Sequence, residues 1–372
     1  MRRIYLAATG MNRGKTTTSV GLIAALLSRG LATGFIKPVG QRYAVVDGVP
    51  ADEDAILMKS VFGLPDSLAA MSPVHIPRGF TKAYVSGDVV DNLPDRIRDA
   101  FNVVARGRDM VMIEGTGHAG VGAVIDLSNA AVARMLGARA IIVSEGGVGR
   151  PIDEIVLNRA LFARNGVEVV GAIVNKVDVD AQPRLEEVLR RGLKRQGIPL
   201  LGVLPYRPLL SNPTLTMLCE QIRGELLHPG PDLDHVVEGV AIGAAQAGHT
   251  LERLGPGGLL IVPGDREDVI QAVVTASLVG LAGTPDDGTD GDGRGIAGLV
   301  LTSGYRPEPR VVEAIRHADL FAYLVEDDTY ATASAVHDLL VKTHPKDAQK
   351  LDLIKSLVGE RLDVDRILDL AA

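Results

Sequence analysis

The segment TGMNRGKT (residues 9–16) constrains the fold of this chain more than any other segment. It matches the phosphate-binding loop pattern G-x-x-x-x-G-K-[ST], except that Thr9 stands where the first glycine is expected. The apolar run IYLAAT (residues 4–9) predicts a strand before the loop. The stretch after the loop has apolar residues at the spacing of one helix face, namely Val20, Ile23, Ala24 and Leu27. The sequence therefore predicts a strand–loop–helix unit.

Such a loop turns backbone N–H groups toward phosphate oxygens, and the partial positive charge of the helix N-terminus adds to the attraction. Lys15 would reach the terminal phosphates, and the hydroxyl of Thr16 would bind Mg²⁺. The predicted nucleotide-binding residues of this segment are Asn12, Arg13, Gly14, Lys15, Thr16 and Thr17. A Gly-Lys-Thr sequence that starts a helix by chance is the alternative.

Further β-type runs alternate with helix-type segments along the first half of the chain. They are TGFIKPV (33–39), DMVMIEG (109–115), ARAIIVSEGG (138–147), VEVVGAIVNKVD (167–178) and PLLGVLPY (199–206). This alternation predicts an α/β fold with a doubly wound, mostly parallel sheet. Ligands of such sheets lie beyond the carboxyl ends of the strands, which places Thr9, Lys37, Glu114 and Asn175 together.

Two carboxylates are candidates for a magnesium site with Thr16. Glu114 ends an apolar strand, and Asp54 precedes a helical stretch in ADEDAILMK. Each has a structural alternative, because Glu114 could cap the following turn and Asp54 could be the N-cap of the helix. Asp52 is the neighbouring competitor of Asp54.

Lys37 follows the second predicted strand and could hold a substrate anion against the γ-phosphate. Lys15, Lys37 and Glu114 are therefore the predicted catalytic residues. A solvated lysine at a turn is the alternative for Lys37.

The residues Asn175-Lys176-Val177-Asp178 match the N-K-x-D pattern of base-reading loops. In that pattern the carboxylate of Asp178 would accept from guanine N1–H and the guanine amino group, which would indicate GTP. Alternatively, Asn175 alone contacts an adenine and Asp178 faces water. Asn175 and Asp178 are both predicted to bind the nucleotide.

The second half of the chain shows a separate α/β pattern. We predict a nucleotide-binding domain at 1–208, a helical linker region at 209–255 and a smaller α/β domain at 256–372. The segment 284–295 is rich in Gly and Asp. Its acidic residues suggest a calcium-binding loop, but the segment lacks the bidentate Glu that completes such a loop.

Composition excludes several partners. The net charge of −7 disfavours a general attraction to nucleic acid or anionic membranes. Cys219 is the one cysteine, which excludes an internal disulfide and fits a reducing compartment. No segment reaches the about 18 apolar residues of a membrane span. We expect a cytoplasmic protein with no nucleic-acid or membrane partner.

Taken together, these residues resemble the dethiobiotin synthetase superfamily over about residues 1–206. The shared motifs are T-x-x-x-x-G-K-T at 9–16, K-P-V at 37–39, Asp54-Ala55, E-G-T-G at 114–117 and the strand-end Asn175. The resemblance implies a homodimer that activates a carboxylate or carbamate with ATP and Mg²⁺. By position, Asp54 and Glu114 with Thr16 would hold Mg²⁺, Lys37 the substrate anion, and Asn175 the base.

The chain departs from that superfamily inside the loop, where acidic residues are replaced and Arg13 is added. It also carries His118 in the turn after Glu114. A closer resemblance is to the dethiobiotin-synthetase-like region of long bacterial phosphotransacetylases, which is followed by a DRTGG domain. Asp265-Arg266, Thr302-Ser303-Gly304 and DDTYATA (327–333) resemble that second domain. From the residues alone, Asp265 is either a helix N-cap or part of a ligand site.

The sequence is compatible with two functions. One is an ATP-dependent enzyme that activates an unidentified small carboxylate or carbamate. The other is a non-catalytic, nucleotide-sensing regulatory protein related to the phosphotransacetylase region.

Overall fold

The computed structural model describes residues 1–88, 92–178, 184–279, 295–339 and 341–371. The chain divides into two compact units. The first unit comprises Met1–Arg207 and Thr343–Ala372, and the second unit comprises Pro208–Lys342.

The first unit is built on a six-stranded sheet, which has the order β10-β9-β8-β1-β7-β2. Its strands are β1 (Arg2–Ala8), β2 (Thr33–Ile36), β7 (Met110–Glu114), β8 (Arg139–Glu145), β9 (Val169–Val177) and β10 (Leu200–Pro205). Every neighbouring pair in this sheet is parallel. Two small additions are the pair β3 (Val39–Gly40) with β6 (Val74–His75) and the hairpin β4 (Tyr43–Val46) with β5 (Val49–Asp52). The predicted α/β fold with a mostly parallel sheet is confirmed.

Helices connect these strands. They are α1 (Lys15–Ser28), α2 (Glu53–Phe62), α3 (Leu68–Met71), α4 (Phe80–Val85), α5 (Leu93–Ala105), α6 (Asn129–Met135), α7 (Gly149–Arg164) and α8 (Leu185–Arg195). The last two helices of the chain, α15 (Ala348–Arg361) and α16 (Val364–Leu370), also belong to this unit. No helix of the described residues is both long enough and apolar enough to span a membrane.

The register of the sheet brings the strand ends to one edge. Leu6 pairs with Glu114, and Ile36 pairs with Ile113. At the other side of β1, Glu145 pairs with Asn175. The sequences of the central strands are continuously apolar because the sheet is buried on both faces. The polar residues that follow them are therefore gathered at the carboxyl edge.

The second unit contains a five-stranded sheet of order β11-β15-β14-β13-β12. Its strands are β11 (Glu225–His228), β12 (Gly239–Ile242), β13 (Gly258–Pro263), β14 (Gly298–Thr302) and β15 (Phe321–Leu324). Only β11 is antiparallel to its neighbour. The helices of this unit are α9 (Pro208–Ser211), α10 (Leu215–Gln221), α11 (Ala247–Leu251), α12 (Glu267–Leu278), α13 (Pro309–His317) and α14 (Thr329–His337).

The observed division of the chain differs from the predicted one in two places. The predicted helical linker at 209–255 contributes β11 and β12 to the second sheet, so it is part of the second unit. The last thirty residues were expected in the second domain but pack on the first unit. Arg139 donates to the backbone oxygen of Leu370 at 2.9 Å, and the buried Val358 of α15 packs closely against Gly21 of α1.

Asp265 does not cap α12. The helix begins at Glu267, its N-cap position is Arg266, and the side chain at that position makes no capping hydrogen bond. Asp265 is exposed instead. The calcium-binding loop considered for residues 284–295 lies almost entirely within residues 284–294, which are outside the described residues.

The contact between α1 and α15 predicts opposite effects on stability for alanine substitutions at two helical glycines. A Cβ at Gly21 would lie 2.3 Å from the Cβ of Val358, whereas a Cβ at Gly359 would meet no atom within 4 Å. Gly359→Ala should stabilise the protein by about 0.5–1 kcal/mol through helix propensity. Gly21→Ala should destabilise it by roughly 1–3 kcal/mol, because overpacking outweighs the same gain. Urea unfolding measures both, and stabilisation by both would show that α15 is not docked on α1.

Candidate functional site

The loop between β1 and α1 adopts the curved backbone that a phosphate site requires. Gly14 has φ 91° and Asn12 has φ 56°, both in the left-handed region. Glycine and asparagine tolerate that region best. Thr9 N–H donates to the oxygen of Val143 at 2.9 Å, and its hydroxyl lies 3.2 Å from that of Ser144. Thr9 therefore ties the start of the loop to β8, which a glycine could not do with a side chain.

Asn175 fastens the end of this loop. Its Nδ2 donates to the oxygen of Arg13 at 3.2 Å. A Cβ on Gly14 would lie 1.8 Å from the same Nδ2, so the absence of a side chain at Gly14 lets Asn175 approach. The structure thus places the predicted base-reading residue against the phosphate loop, where it is buried.

The hydroxyl of Thr16 meets two carboxylates. Thr16 Oγ1 lies 3.1 Å from Asp54 Oδ1 and 3.2 Å from Glu114 Oε1. The three residues come from the start of α1, the start of α2 and the end of β7. The residues predicted to hold a metal are therefore brought together.

Lys37 closes this cluster. Its Nζ lies 3.1 Å from Glu114 Oε1, 3.8 Å from Asp52 Oδ1 and in direct contact with Asp54 Oδ2. Lys37 is 5% exposed. The alternative of a solvated lysine is therefore wrong, because β2 ends inside the crevice and three acids surround the amine.

Asp52, not Asp54, caps α2. The side chain of Asp52 accepts from Asp54 N–H at 3.0 Å. This frees the carboxylate of Asp54 for Thr16 and Lys37. A Cβ on Gly40 would lie 2.7 Å from Asp52 Oδ2, so the residue after K-P-V must be small.

Burial and close charges shift the pKa values in the cluster. Burial, only partly opposed by Lys37, raises the pKa of Glu114 to about 7. Burial and the like charge of Lys37 lower the pKa of Lys15 to about 8. Asp54 has a lowered pKa, since the contact with Lys37 outweighs its burial. Burial works against the charge of Lys37, but the surrounding acids raise its pKa well above its usual value.

These oxygen atoms fit a magnesium ion. Mg²⁺ prefers hard oxygen ligands and is usually held by one or two carboxylates together with phosphates and waters. Glu114 Oε2 and Ser19 Oγ are both buried, and neither makes a hydrogen bond of good geometry, although the Ser19 hydroxyl is near enough to the Glu114 carboxylate to act on its pKa. A buried carboxylate oxygen without a donor is costly, which favours a ligand that would complete its coordination. Among the described residues, no three acidic, histidine or cysteine side chains form a metal-binding group by themselves.

A second charge cluster lies on the other side of the loop and was missed by sequence reasoning. Arg13 is paired directly with Glu145, the last residue of β8. Lys176 donates to the other oxygen of Glu145 at 2.9 Å and to the oxygen of Asn12 at 3.0 Å. The strand-end rule that selected Glu114 also applies to Glu145 and could have found it.

Three further positions named from the sequence lie at the margin of this site. Asp178 is exposed and directly precedes residues 179–183, which are outside the described residues. His118, in the turn after Glu114, is exposed, and its Nδ1 accepts from Gly120 N–H at 3.2 Å. Thr17 is half-buried in the first turn of α1.

The first strand of the parallel sheet leads through a Gly-Lys-Thr loop into a helix, and acidic side chains lie beside the threonine. These features define a P-loop α/β protein. Within that class the chain belongs to the AAA domain family, which matches residues 2–214. The DRTGG domain family matches residues 217–339. The predicted P-loop and DRTGG resemblance is thereby confirmed.

The chain is also similar to phosphate acetyltransferases. The chain is 26% identical to a phosphate acetyltransferase of Nitrosomonas europaea over 97% of this chain and 50% of that protein. It is 28% identical to the phosphate acetyltransferase of Pseudomonas putida over 98% of this chain and 51% of that protein. The chain thus spans about half the length of the curated relatives it matches. The predicted resemblance to phosphotransacetylases is confirmed, whereas the likeness to dethiobiotin synthetase stays a prediction.

Solved structures with a similar fold are more distant. The cell division ATPase MinD of Pyrococcus furiosus is 19% identical, with a TM-score of 0.36 over 56% of this chain and 86% of that chain. Cobyrinic acid a,c-diamide synthase of Mycobacterium smegmatis, with bound ADP and magnesium, is 16% identical, with a TM-score of 0.37 over 56% of this chain and 88% of that chain.

Proposed function

We propose that the first unit binds a nucleoside triphosphate with Mg²⁺ and hydrolyses it. One observation carries this proposal: Thr16, Asp54 and Glu114 meet within hydrogen-bond distance beside the loop that holds Lys15. The metal would be held by the Thr16 hydroxyl and the two carboxylates, and it would neutralise phosphate charge when bound.

The residues of the chain would divide the remaining work. The loop N–H groups and Lys15 would bind the terminal phosphates. Lys37 is held by acids that a magnesium ion would also bind, so metal binding would release its amine toward the γ-phosphate or a substrate anion. The two lysines would then stabilise the charge that develops during phosphoryl transfer.

The orientation of Asn175 supports ATP over GTP. One of the two N–H groups of its Nδ2 is engaged by the oxygen of Arg13, and Oδ1 remains as an acceptor. An adenine amino group can donate to that oxygen, whereas the corresponding atom of guanine is itself an acceptor. Asp178 would then face water.

The phosphate acceptor would be a small carboxylate or carbamate, as the resemblance to dethiobiotin synthetase implies. A carboxylate oxygen bound near Lys37 would attack the γ-phosphorus in line, forming an acyl phosphate while the bond to the β–γ bridging oxygen breaks and ADP leaves. A homodimer is also inferred from that resemblance.

A nucleotide-sensing role is the second candidate. It is favoured by the match of this chain to about half of the length of phosphate acetyltransferases. In that role the first unit would bind ATP with little turnover, and the ligand state would affect another part of the assembly.

Calorimetry on the wild-type chain tests the proposal. Mg·ATP should bind at least about tenfold more tightly than Mg·GTP, because Asn175 offers an acceptor. Removal of Mg²⁺ with a chelator should weaken ATP binding. Release of inorganic phosphate from ATP decides between the enzyme and the sensor, and a chain that binds neither nucleotide contradicts both.

A further inference from the structure

A groove in the first unit lies apart from the cluster around Lys37. It has a volume of about 400 Å³, in the range of small-molecule sites. Its apolar lining includes Val49, Pro50 and Ala100, and its polar lining includes Ser72, His75 and Arg96. These residues come from β5, from the segment that follows α3, and from α5. The nucleotide site proposed above uses none of these polar groups.

The polar end of the groove is built on Ser72, which is fully buried. Ser72 Oγ accepts from Asp52 N–H at 3.0 Å and lies 3.0 Å from His75 Nε2. Because the hydroxyl already accepts from Asp52, its own proton can be donated to His75 Nε2. A neutral imidazole then carries its proton on Nδ1. The described residues provide no hydrogen-bond partner for that Nδ1, so it is a donor available to a ligand.

Arg96 adds positive charge beside this ring. Its guanidinium donates to the oxygen of Pro73 at 2.7 Å, which fixes the side chain along the groove. Burial and the charge of Arg96 lower the pKa of His75, which keeps the ring neutral at pH 7. Arg96 and His75 both line the groove, so both groups can act on one anion.

The other residues that line the groove favour an anion with a single charge and an apolar chain. Asp99 also lines the groove and is exposed, so a dianion would be repelled more strongly than a monoanion. The apolar residues at Val49, Pro50 and Ala100 offer no partner to a second polar group. They can contact a short hydrocarbon chain.

We propose that this groove binds a small monocarboxylate, with its carboxylate at His75 and Arg96 and its apolar chain against Val49, Pro50 and Ala100. The site is distinct from the proposed nucleotide site, and binding is measured without nucleotide. A failure here therefore leaves the proposed function untouched.

Sodium isovalerate is the probe, and ligand-observed NMR with the full chain is the measurement. The uncharged isovaleramide has the same shape, and inorganic phosphate supplies a dianion without an apolar chain. We expect isovalerate to bind at least about tenfold more tightly than either, because hydrogen bonds to a charged acceptor are the stronger ones. Equal binding of the amide, or no binding of isovalerate at tens of millimolar, would overturn the proposal.

Two variants locate the site. Arg96→Gln should weaken isovalerate binding by about tenfold or more. Arg98→Gln is the matched control on the same helix, since Arg98 is an exposed partner of Asp95 and does not line the groove; its binding should equal that of the wild type. Equal affinities of the two variants would contradict the proposal.

Should Arg96→Gln unfold, the imidazole ¹H–¹⁵N spectrum of the wild type gives the same information. Isovalerate should shift the Nδ1 resonance of His75 and leave that of the exposed His249 unchanged. A titration that leaves the His75 resonance in place overturns the assignment.

Discussion

Lys15→Met is expected to weaken nucleotide binding by at least about 30-fold while leaving the fold intact. Lys15 is 8% exposed at the start of α1, so its amine would meet the phosphates away from bulk water. Removing one partner of such a charge pair costs about 2–5 kcal/mol, which is roughly 30-fold or more in affinity. Calorimetry with Mg·ATP measures the loss.

The stability of the free variant separates lost binding from lost folding. Lys15 and Lys37 repel each other, and burial disfavours the charge of Lys15. Lys15→Met should therefore unfold at the same urea concentration as the wild type or at a higher one. Lys194→Met, at an exposed position of α8, is the matched control and should bind normally. Wild-type affinity in Lys15→Met would exclude a phosphate site at this loop.

The lowered pKa of Lys15 also gives binding a pH dependence. The amine has a pKa of about 8 in the free protein, and phosphate would raise it. Binding should therefore take up about half a proton per nucleotide at pH 8, and affinity should fall as the pH rises further. Calorimetry in buffers of different ionisation enthalpy measures the uptake, and none at pH 8 would contradict the assignment.

The sequence predicts that Thr16 and Glu114 lie close together, because the carboxyl ends of parallel strands meet at one edge of the sheet. Asp54, at the start of a helix, is placed with them only by the resemblance to the dethiobiotin synthetase superfamily. A local pattern cannot predict the partners of a long side chain. The burial of Lys37 among three acids and the contact of Asn175 with the loop both depend on tertiary packing. Glu145 could have been found by the same strand-end rule.

The division of the chain was harder to predict for a different reason. Helix α15 has an ordinary helical sequence, and nothing in it states which sheet it will cover. The decisive feature is Gly21, a small residue in the middle of α1 that leaves room for Val358. That complementarity links residues more than 300 positions apart, so neither segment reveals it alone.

Lys37→Met is expected to destabilise the metal-free protein by about 3–5 kcal/mol at pH 8, because it leaves buried carboxylates without their cation. The protein can reduce this cost by protonating Glu114, whose pKa is already raised to about 7. A raised acid pKa means that stability is greatest below the unfolded value and is lost as the pH rises through the folded value. Without Lys37 the folded pKa of Glu114 rises further, so the deficit should be smaller at pH 5.5 than at pH 8. The part that remains at pH 5.5 comes from Asp54, whose lowered pKa reflects its contact with Lys37.

Urea unfolding at the two pH values, in the presence of a chelator, measures this deficit. The double variant Lys37→Met/Glu114→Gln removes one of the stranded charges and should recover part of the stability at pH 8. Lys194→Met should match the wild type at both pH values, since its amine is exposed. An equal deficit at pH 5.5 and pH 8 would mean that lost packing, not uncompensated charge, explains the effect. In that case Lys37 would fill space in the crevice, whereas a pH-dependent deficit would show that its amine holds charges that a metal could replace.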